Sequence, residues 1–438
     1  MVAMRKLLRR CHAGRGRDEG GFVLITTFMI IAVFVTLTIS LMSYAMVDLQ
    51  TGQREQAWLQ GFYLAEGAVD QGLAWLRSQP APPGGTSAST PLGGYTAPDA
   101  NGGSSLFTLR PDNQNMNAFL KRYTLSGQGV VGPLAGPTAV VNTSLIVQTA
   151  SFARYAYFTN NERSPSGQSV WFVTGDHITG PMHTNDQFHI AGSPIYDGPV
   201  TSVASTWIRY NAQTNPLFNQ GFTGGVPTVQ YPNSFPPALT TAASNGGVSL
   251  TGDTTVALAS NGTMTVTNLA KGWVNQVMPV PTNGAFYVSN GNLAVSGTLK
   301  GQLTLASTGD IQVTNSVKYS DDPRINPNST DILGLLAGGN VTIMQSAPTD
   351  VEVDASIMAL NTSFIVQNYS AISLRGNLTV YGGIIQANRG PVGTFGSTGV
   401  RNHGYAKDYH WDPRFAATVS PPYFPTTGDY VIVAWQNQ

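Results

Sequence analysis

The sequence predicts a mainly-β chain of the α+β class. A long N-terminal helix comes first, then a small sheet, then a large β-solenoid-like domain, for which a β-sandwich is the alternative. Three observations predict this. From Phe22 to Val47 there are 26 residues with neither charge nor proline. Apolar residues then keep a helical spacing as far as Leu76. After residue 170, short alternating runs recur behind Gly and Asn-Gly words.

The apolar run would be about 39 Å long as a helix at ~1.5 Å per residue. A hydrocarbon core is ~30 Å thick and is crossed by about 20 apolar residues. Ahead of the run, residues 1–21 form a leader holding Arg5, Lys6, Arg9, Arg10, Arg15 and Arg17 against Asp18 and Glu19. That charge bias predicts a cytoplasmic N-terminus, with residues beyond about 50 on the far side. A secretory signal has a shorter apolar core with its small-residue cleavage site after it. Here the small pair, Gly20-Gly21, comes before the apolar run. An ordinary signal anchor is the alternative, and it leaves that pair unexplained.

Trp58, Phe62, Ala65, Val69, Leu73 and Leu76 continue the pattern on one helical face, so the helix is expected over 22–77. Gly61, Gly67 and Gly72 interrupt it, each at a cost of ~1 kcal/mol relative to Ala, so tertiary support is expected. Pro80 is the expected stop. Residues 78–105, rich in Pro, Gly, Ser and Thr, read as a linker. Strand-like runs over 106–169, such as Leu106–Leu109 and Thr138–Gln148, read as the small sheet.

The solenoid-like region is expected over 170–400. Its words include Asn290-Gly291-Asn292, Thr308-Gly309-Asp310, Gly338-Gly339-Asn340 and Arg375-Gly376-Asn377, each followed by alternating apolar residues. Short strands behind such turns fit rungs that are stable only when stacked. Gly291 and Gly339 are expected to supply positive φ at the turns. Proline-rich or Asp/Asn-rich stretches at 201–245 and 319–331 read as insertions, and 401–438 as a closing segment whose end, Tyr430–Trp435, alternates like a strand.

Composition excludes several functions. Charged residues make up 11% of the chain and Gly reaches 48, so the surface is Ser, Thr, Asn and Gly rather than Lys and Glu. Beyond the leader, 17 basic face 21 acidic residues with no basic patch, so nucleic acid is not an expected partner. The single cysteine, Cys11, lies in the leader, which leaves no thiol for disulfides, thiolate metal sites or nucleophiles after it. No Walker loop, G-x-S-x-G or H-E-x-x-H occurs, and no carboxylate pair can be placed on one face. No catalytic residue, cofactor or metal is therefore assigned, and the chain is not expected to be an enzyme. His177, His183 and His189 with Asp176 and Asp186 could bind zinc, and the Asp321–Asp331 stretch calcium. Both read instead as turn residues bonding the backbone, as does the group His403, Asp408, His410 and Asp412.

A basic leader, Gly21, Phe22 and an apolar run resemble the prepilin signal of type IV pilins and type II secretion pseudopilins. The words Phe62-Tyr63-Leu64-Ala65-Glu66-Gly67-Ala68-Val69-Asp70 resemble the helix of PilX N-terminal-type minor pilins. The resemblance covers roughly residues 1–77, with a fainter echo in the proline-rich tail. It implies cleavage by prepilin peptidase between Gly21 and Phe22, leaving 417 of the 438 residues, and methylation of Phe22. It also implies a single inner-membrane pass over Phe22–Val47, a periplasmic or extracellular C-terminal part, a pilin-like small sheet, and other pilins or pseudopilins as partners. The function implied is that of an assembly subunit of a type IV pilus or secretion filament, with a tip or priming position expected. Thr26 departs from the family, which carries Glu at the fifth mature position. An envelope adhesin or glycan-binding protein is the alternative, and a membrane-tethered carbohydrate-active enzyme the third reading.

Overall fold

The computed structural model describes residues 19–79, 82–83, 93–98, 103–111, 120–132, 139–396, 400–416 and 419–437. Most of the leader, with Cys11, and much of the expected linker lie outside the described residues. Helix α1 (Glu19–Ser78) runs 60 residues without a break. It is long and apolar enough to cross a membrane. Residues 21–56 are exposed on every side except at half-exposed Thr26, a projection of about 54 Å. Hydroxyls in this part fold back on the helix. Thr27 donates to the Val23 carbonyl at 2.6 Å, Thr38 to Phe34 at 2.7 Å and Ser40 to Thr36 at 2.8 Å. Each donor is thereby satisfied without water, as an apolar medium requires.

From Ala57 onward α1 lies on an antiparallel sheet. Its strand order is β1 (Gly93–Pro98), β2 (Gly103–Pro111), β3 (Arg122–Val131), β4 (Ala139–Ser151) and the C-terminal strand Thr426–Asn437. β1 falls within the stretch expected as linker. β2 and β3 alternate buried and half-exposed residues, and Phe107, Leu125, Leu145 and Val147 meet Val69 and Leu76 of the helix. The seam differs from the expected helical face. Ala65, Val69 and Leu76 are buried as read, but Trp58 is 52% exposed and stacks on Phe62 at 5.6 Å. Ala57, Gly61, Ala68 and Gly72 take the buried places. Where Gly61 meets the sheet the helix backbone approaches too closely for large side chains, so Trp58 is turned outward, whereas Trp75 packs on Phe107 nearer the end of the helix.

Among the described residues the second sheet has 22 strands and does not close into a barrel. Its pairing is mainly parallel, and three ladders run side by side. The first stacks Phe222–Gly224, Val200–Ser202, Met182–Thr184 and Tyr157–Asn161. It continues through residues 384–388, 356–359, Ile332–Ala337, Gln302–Ser307, Ala285–Ser289 and Val248–Thr251. The second runs from Leu217–Phe218 through Ile195–Tyr196, His177–Ile178 and residues 407–411 to 378–382 and 351–353. The third includes residues 254–256, 293–295, 311–313, 341–343 and 364–366. Inward-facing Val, Leu, Ile and Phe form one continuous core.

The strand order shows that the chain does not wind in one direction. Residues 157–224 stack outward from the middle, 225–247 return, and 248–411 stack back until residues 384–388 lie beside Tyr157–Asn161. The returning stretch crosses the outer face of the first ladder. Asn185 holds Val229 through both its backbone N–H and its carbonyl, the Tyr231 hydroxyl donates to the Ala359 carbonyl at 2.7 Å, and Phe235 packs on Tyr287. Helix α2 (Pro237–Ser244) then buries Leu239 and Ala243. Beneath it lies a second apolar cluster that includes Phe152, Phe158, Met358, Phe415 and Phe424.

Several stretches therefore lie elsewhere than the sequence suggested. Tyr157–Asn161 pairs in the large sheet rather than the small one. Within 201–245, the strands Leu217–Phe218 and Phe222–Gly224 pair in the large sheet, and Ile208–Arg209 pairs parallel with His189–Ile190 in a separate two-stranded sheet. They are only two or three residues long, so they show no alternation in the sequence. The Gly-Asx words have a structural reason. The side chains of Asp253, Asn292 and Asp310 each accept from the backbone N–H of the next rung's Asx, at 2.8, 2.8 and 2.7 Å. Positive φ is found at Asn290, not at Gly291 or Gly339. Gly291 is needed because a Cβ there would overlap the backbone of Gly252 and Asp253 in the rung below.

Candidate functional site

Gly21 and Phe22 sit in the opening turns of α1, and Phe22 is 71% exposed while Val47 is 62% exposed. The Thr26 hydroxyl donates to the carbonyls of Phe22 at 3.0 Å and Val23 at 2.9 Å. This position thus presents no charge and no free donor.

The three histidines of 177–189 are separated, because the turns between them carry the chain from one ladder to the next. His177 pairs with Asp197 at 2.6 Å on the second ladder. His183, on the first, bonds Thr201 and Asn185 and packs against Phe158. The His189 ring meets Trp171 edge-on at 5.2 Å. Burial pushes both His183 and His189 below the ordinary imidazole value. In the tail, His410 pairs with Asp408 and Arg414 with Asp412, while His403 bonds the Ile372 carbonyl. Among the described residues no group of three or more His, Cys, Asp or Glu is arranged to hold a metal ion.

The 319–331 stretch folds over the outer face of the second ladder. Asp331 accepts from the backbone N–H groups of Gly301 and Asp321, and Asn326 donates to Asp321. Arg324 pairs with Asp322 at 2.8 Å and Glu352 at 2.7 Å, and its guanidinium lies over the Tyr381 ring. Asp354, 1% exposed, accepts from the Tyr319 N–H at 3.0 Å. Burial pushes its carboxyl up to about 7. Partial burial also opposes ionisation of Asp322 and Glu352, but Arg324, with Lys318 for Glu352, outweighs it and holds both below the ordinary carboxylate value.

The least expected arrangement is where the two halves of the large sheet meet. Arg389, 1% exposed, donates to Glu162, 0% exposed, at 2.6 Å. Its guanidinium lies 3.6 Å from the centre of the Phe172 ring. Lys407 pairs with Asp176 at 2.6 Å. Gln386 donates to the Tyr157 hydroxyl and accepts from the N–H groups of Phe364 and Gly390. Each ion pair joins the early half to the late half. Burial pushes Glu162 up against the pull of Arg389, and pushes Lys407 down against the pull of Asp176. No local pattern in the sequence marks these pairs, since 227 and 231 residues separate their members.

Immediately outside Lys407 and Asp176 is a cleft of about 330 Å³. Half-exposed Trp171, Tyr369 and Phe395 wall it and buried Tyr405 floors it. The Trp171 ring is held edge-on by Tyr210 at 5.0 Å as well as by His189. Phe395 and Arg401 face each other across a hairpin. Arg401 donates to the carbonyls of Arg375 and Gly404.

Residues 119–205 match a family described as a domain of unknown function (DUF4900). The matched span runs from the small sheet into the first rungs of the large one. No curated protein matches the chain. Among solved structures, the competence-associated pilin ComZ from Thermus thermophilus aligns at 11% identity and a TM-score of 0.31, covering 87% of this chain and 98% of that one.

Proposed function

We propose that this chain is a structural subunit of the minor pilin or pseudopilin kind, with a PilX-type N-terminus. In this reading α1 anchors it in the inner membrane and a β-solenoid is displayed outside. The observation that carries the reading is the division of labour along α1. Residues 21–56 project bare, uncharged and largely apolar as far as Val47, while 57–76 are clamped by small residues onto an antiparallel sheet. A single continuous helix of this kind can pass from a lipid bilayer into a bundle of like helices without exposing its β domain to either. The leader and Gly21-Phe22 add the processing step: prepilin peptidase cleaves after Gly21 and Phe22 is methylated. Other pilins are the partners, and the chain acts by assembly and display rather than catalysis.

Thr26 supports a tip or priming position. Inside a filament, each subunit's charged terminal amine needs a partner, because an unpaired charge among apolar helices is costly. Thr26 offers only a hydroxyl already bonded to its own helix. N-terminal sequencing of the membrane-extracted protein tests the processing, with an N-methylated Phe22 expected and a start at Met1 pointing to a plain signal anchor. Immunogold labelling of filaments tests the position. Label at filament ends or in the envelope is expected, and label spread evenly along filaments would overturn the tip reading.

A further inference from the structure

The cleft beside the Lys407–Asp176 pair has features that a purely structural protein does not need. Its charged lining groups are Asp176, Lys407 and Arg401. The first two neutralise each other at 2.6 Å. Arg401 has no carboxylate partner among the described residues, and its guanidinium donates to two backbone carbonyls, those of Arg375 and Gly404. The cleft therefore carries one uncompensated cation, and a guanidinium is suited to bidentate recognition of a carboxylate.

Aromatic faces make up much of the wall. Trp171, Tyr369 and Phe395 are half-exposed and line the cleft, so each offers apolar ring surface to a ligand. Between them stand groups that both donate and accept. Thr394 donates to Asn402 at 2.7 Å, Thr174 accepts from the Ser193 N–H at 2.9 Å, and Ser169 lies 3.5 Å from His189. Each hydroxyl retains hydrogen-bonding capacity after those bonds. At about 330 Å³ the space lies at the small end of ligand pockets, roughly 300–1,000 Å³.

We propose that this cleft binds an acidic sugar unit, a uronic acid within an oligosaccharide. Arg401 takes the carboxylate, the aromatic walls take the C–H faces of the ring, and Ser169, Thr174 and Thr394 take its hydroxyls. A simple anion would use the guanidinium but not the aromatic walls. A neutral sugar would leave the guanidinium unpaired. The two halves of the large sheet supply opposite sides of the cleft, so the site exists only when residues 164–176 are docked beside residues 391–395 and 401–407. The inference stands on the cleft alone and holds whether or not the chain enters a filament.

Calorimetric titration of the full chain in detergent tests it. The probes are trigalacturonate, a glucuronate-containing disaccharide, methyl-esterified trigalacturonate and acetate. At least one of the two acidic saccharides should bind and change tryptophan fluorescence, with the ester at least about ten-fold weaker. Arg401→Gln should weaken binding about ten-fold or more, and Arg401→Lys, which keeps the charge but loses the bidentate fork, should bind between Arg401→Gln and the unaltered chain. Phe395→Ala, on the exposed hairpin, should weaken it too and decides the matter if Arg401→Gln fails to fold. Failure of both acidic saccharides to bind would overturn the proposal. So would equal binding of the ester, equal binding of acetate, or unchanged affinity in a folded Arg401→Gln protein.

Discussion

Gly129 of β3 lies so close under Gly61 of α1 that a Cβ on Gly129 would overlap the Gly61 carbonyl oxygen. One turn further on, Gly127 stands in the same relation to Ala65. Backbone thus meets backbone where the helix joins the small sheet. Gly129→Val and Gly127→Val should each lift the helix from the sheet, at the ~1–3 kcal/mol typical of overpacking or somewhat more. Gly67, where nothing lies within 4 Å of a Cβ, is the control: Gly67→Ala should stabilise by about 0.5–1 kcal/mol. Thermal unfolding with limited proteolysis after residue 78 reads both, and equal effects at the two kinds of site would refute the seam.

The Glu162–Arg389 pair predicts an asymmetry between single and double changes. Removing one member of a buried pair leaves an uncompensated charge and costs roughly 3–5 kcal/mol, whereas apolar replacement of both is often near neutral. Glu162→Ala should therefore unfold the junction at much lower denaturant, and Glu162→Leu with Arg389→Met should recover most of the loss. A double variant as unstable as the single one would mean the charges do more than balance each other.

Asp354 predicts a pH effect opposite to that of most carboxylates. Its folded value is raised by burial to about 7, above an unfolded value near ~3.9. The folded state then holds the proton more tightly, so the associated stability is complete below about pH 4 and is lost as pH rises through 7. Asp354→Asn can still accept from the Tyr319 N–H, and should reduce the fall in melting temperature between pH 5 and pH 8. Asp322 and Glu352, lowered in the folded state, act the other way, and their contribution is lost on acidification. An unchanged pH profile in Asp354→Asn would show that Asp354 is not the group responsible.

At the stacked turns, Gly291→Ala should destabilise although Gly291 has no positive φ, because the methyl would press on the Gly252–Asp253 backbone. Asn292→Ala removes the acceptor for the Asp310 N–H and should cost about 1 kcal/mol. Hydrogen exchange should localise both losses to the neighbouring rungs. Global loss with no local signature would argue against rung-by-rung stacking.

In α1, Val35→Asp should abolish stable membrane association, since a carboxylate at mid-bilayer costs ~2.5–3.5 kcal/mol on insertion scales. Carbonate extraction and membrane flotation measure it. Retention of the variant in the membrane fraction would count against a span over Phe22–Val47.

What the sequence determined by itself was everything carried by neighbours along the chain. An uncharged run of 26 residues must be solvated by lipid or by other helices, whatever lies beyond it. The alternating β2 and β3 show one face to the helix because strand side chains alternate. The Gly-Asx words mark turns because the Asx side chain binds a backbone N–H at the corner. The tertiary structure alone decided where those rungs go. Tyr157–Asn161 lies beside residues 384–388, and its charged partners Glu162 and Arg389 are 227 residues apart, a separation no periodicity can encode. The same holds for the helix seam. Trp58 and Phe62 have the spacing of a buried face, but small residues won the contact because two backbones cannot approach closely with large side chains between them. The cleft belongs wholly to this second class, since it exists only where the two ends of the winding come together.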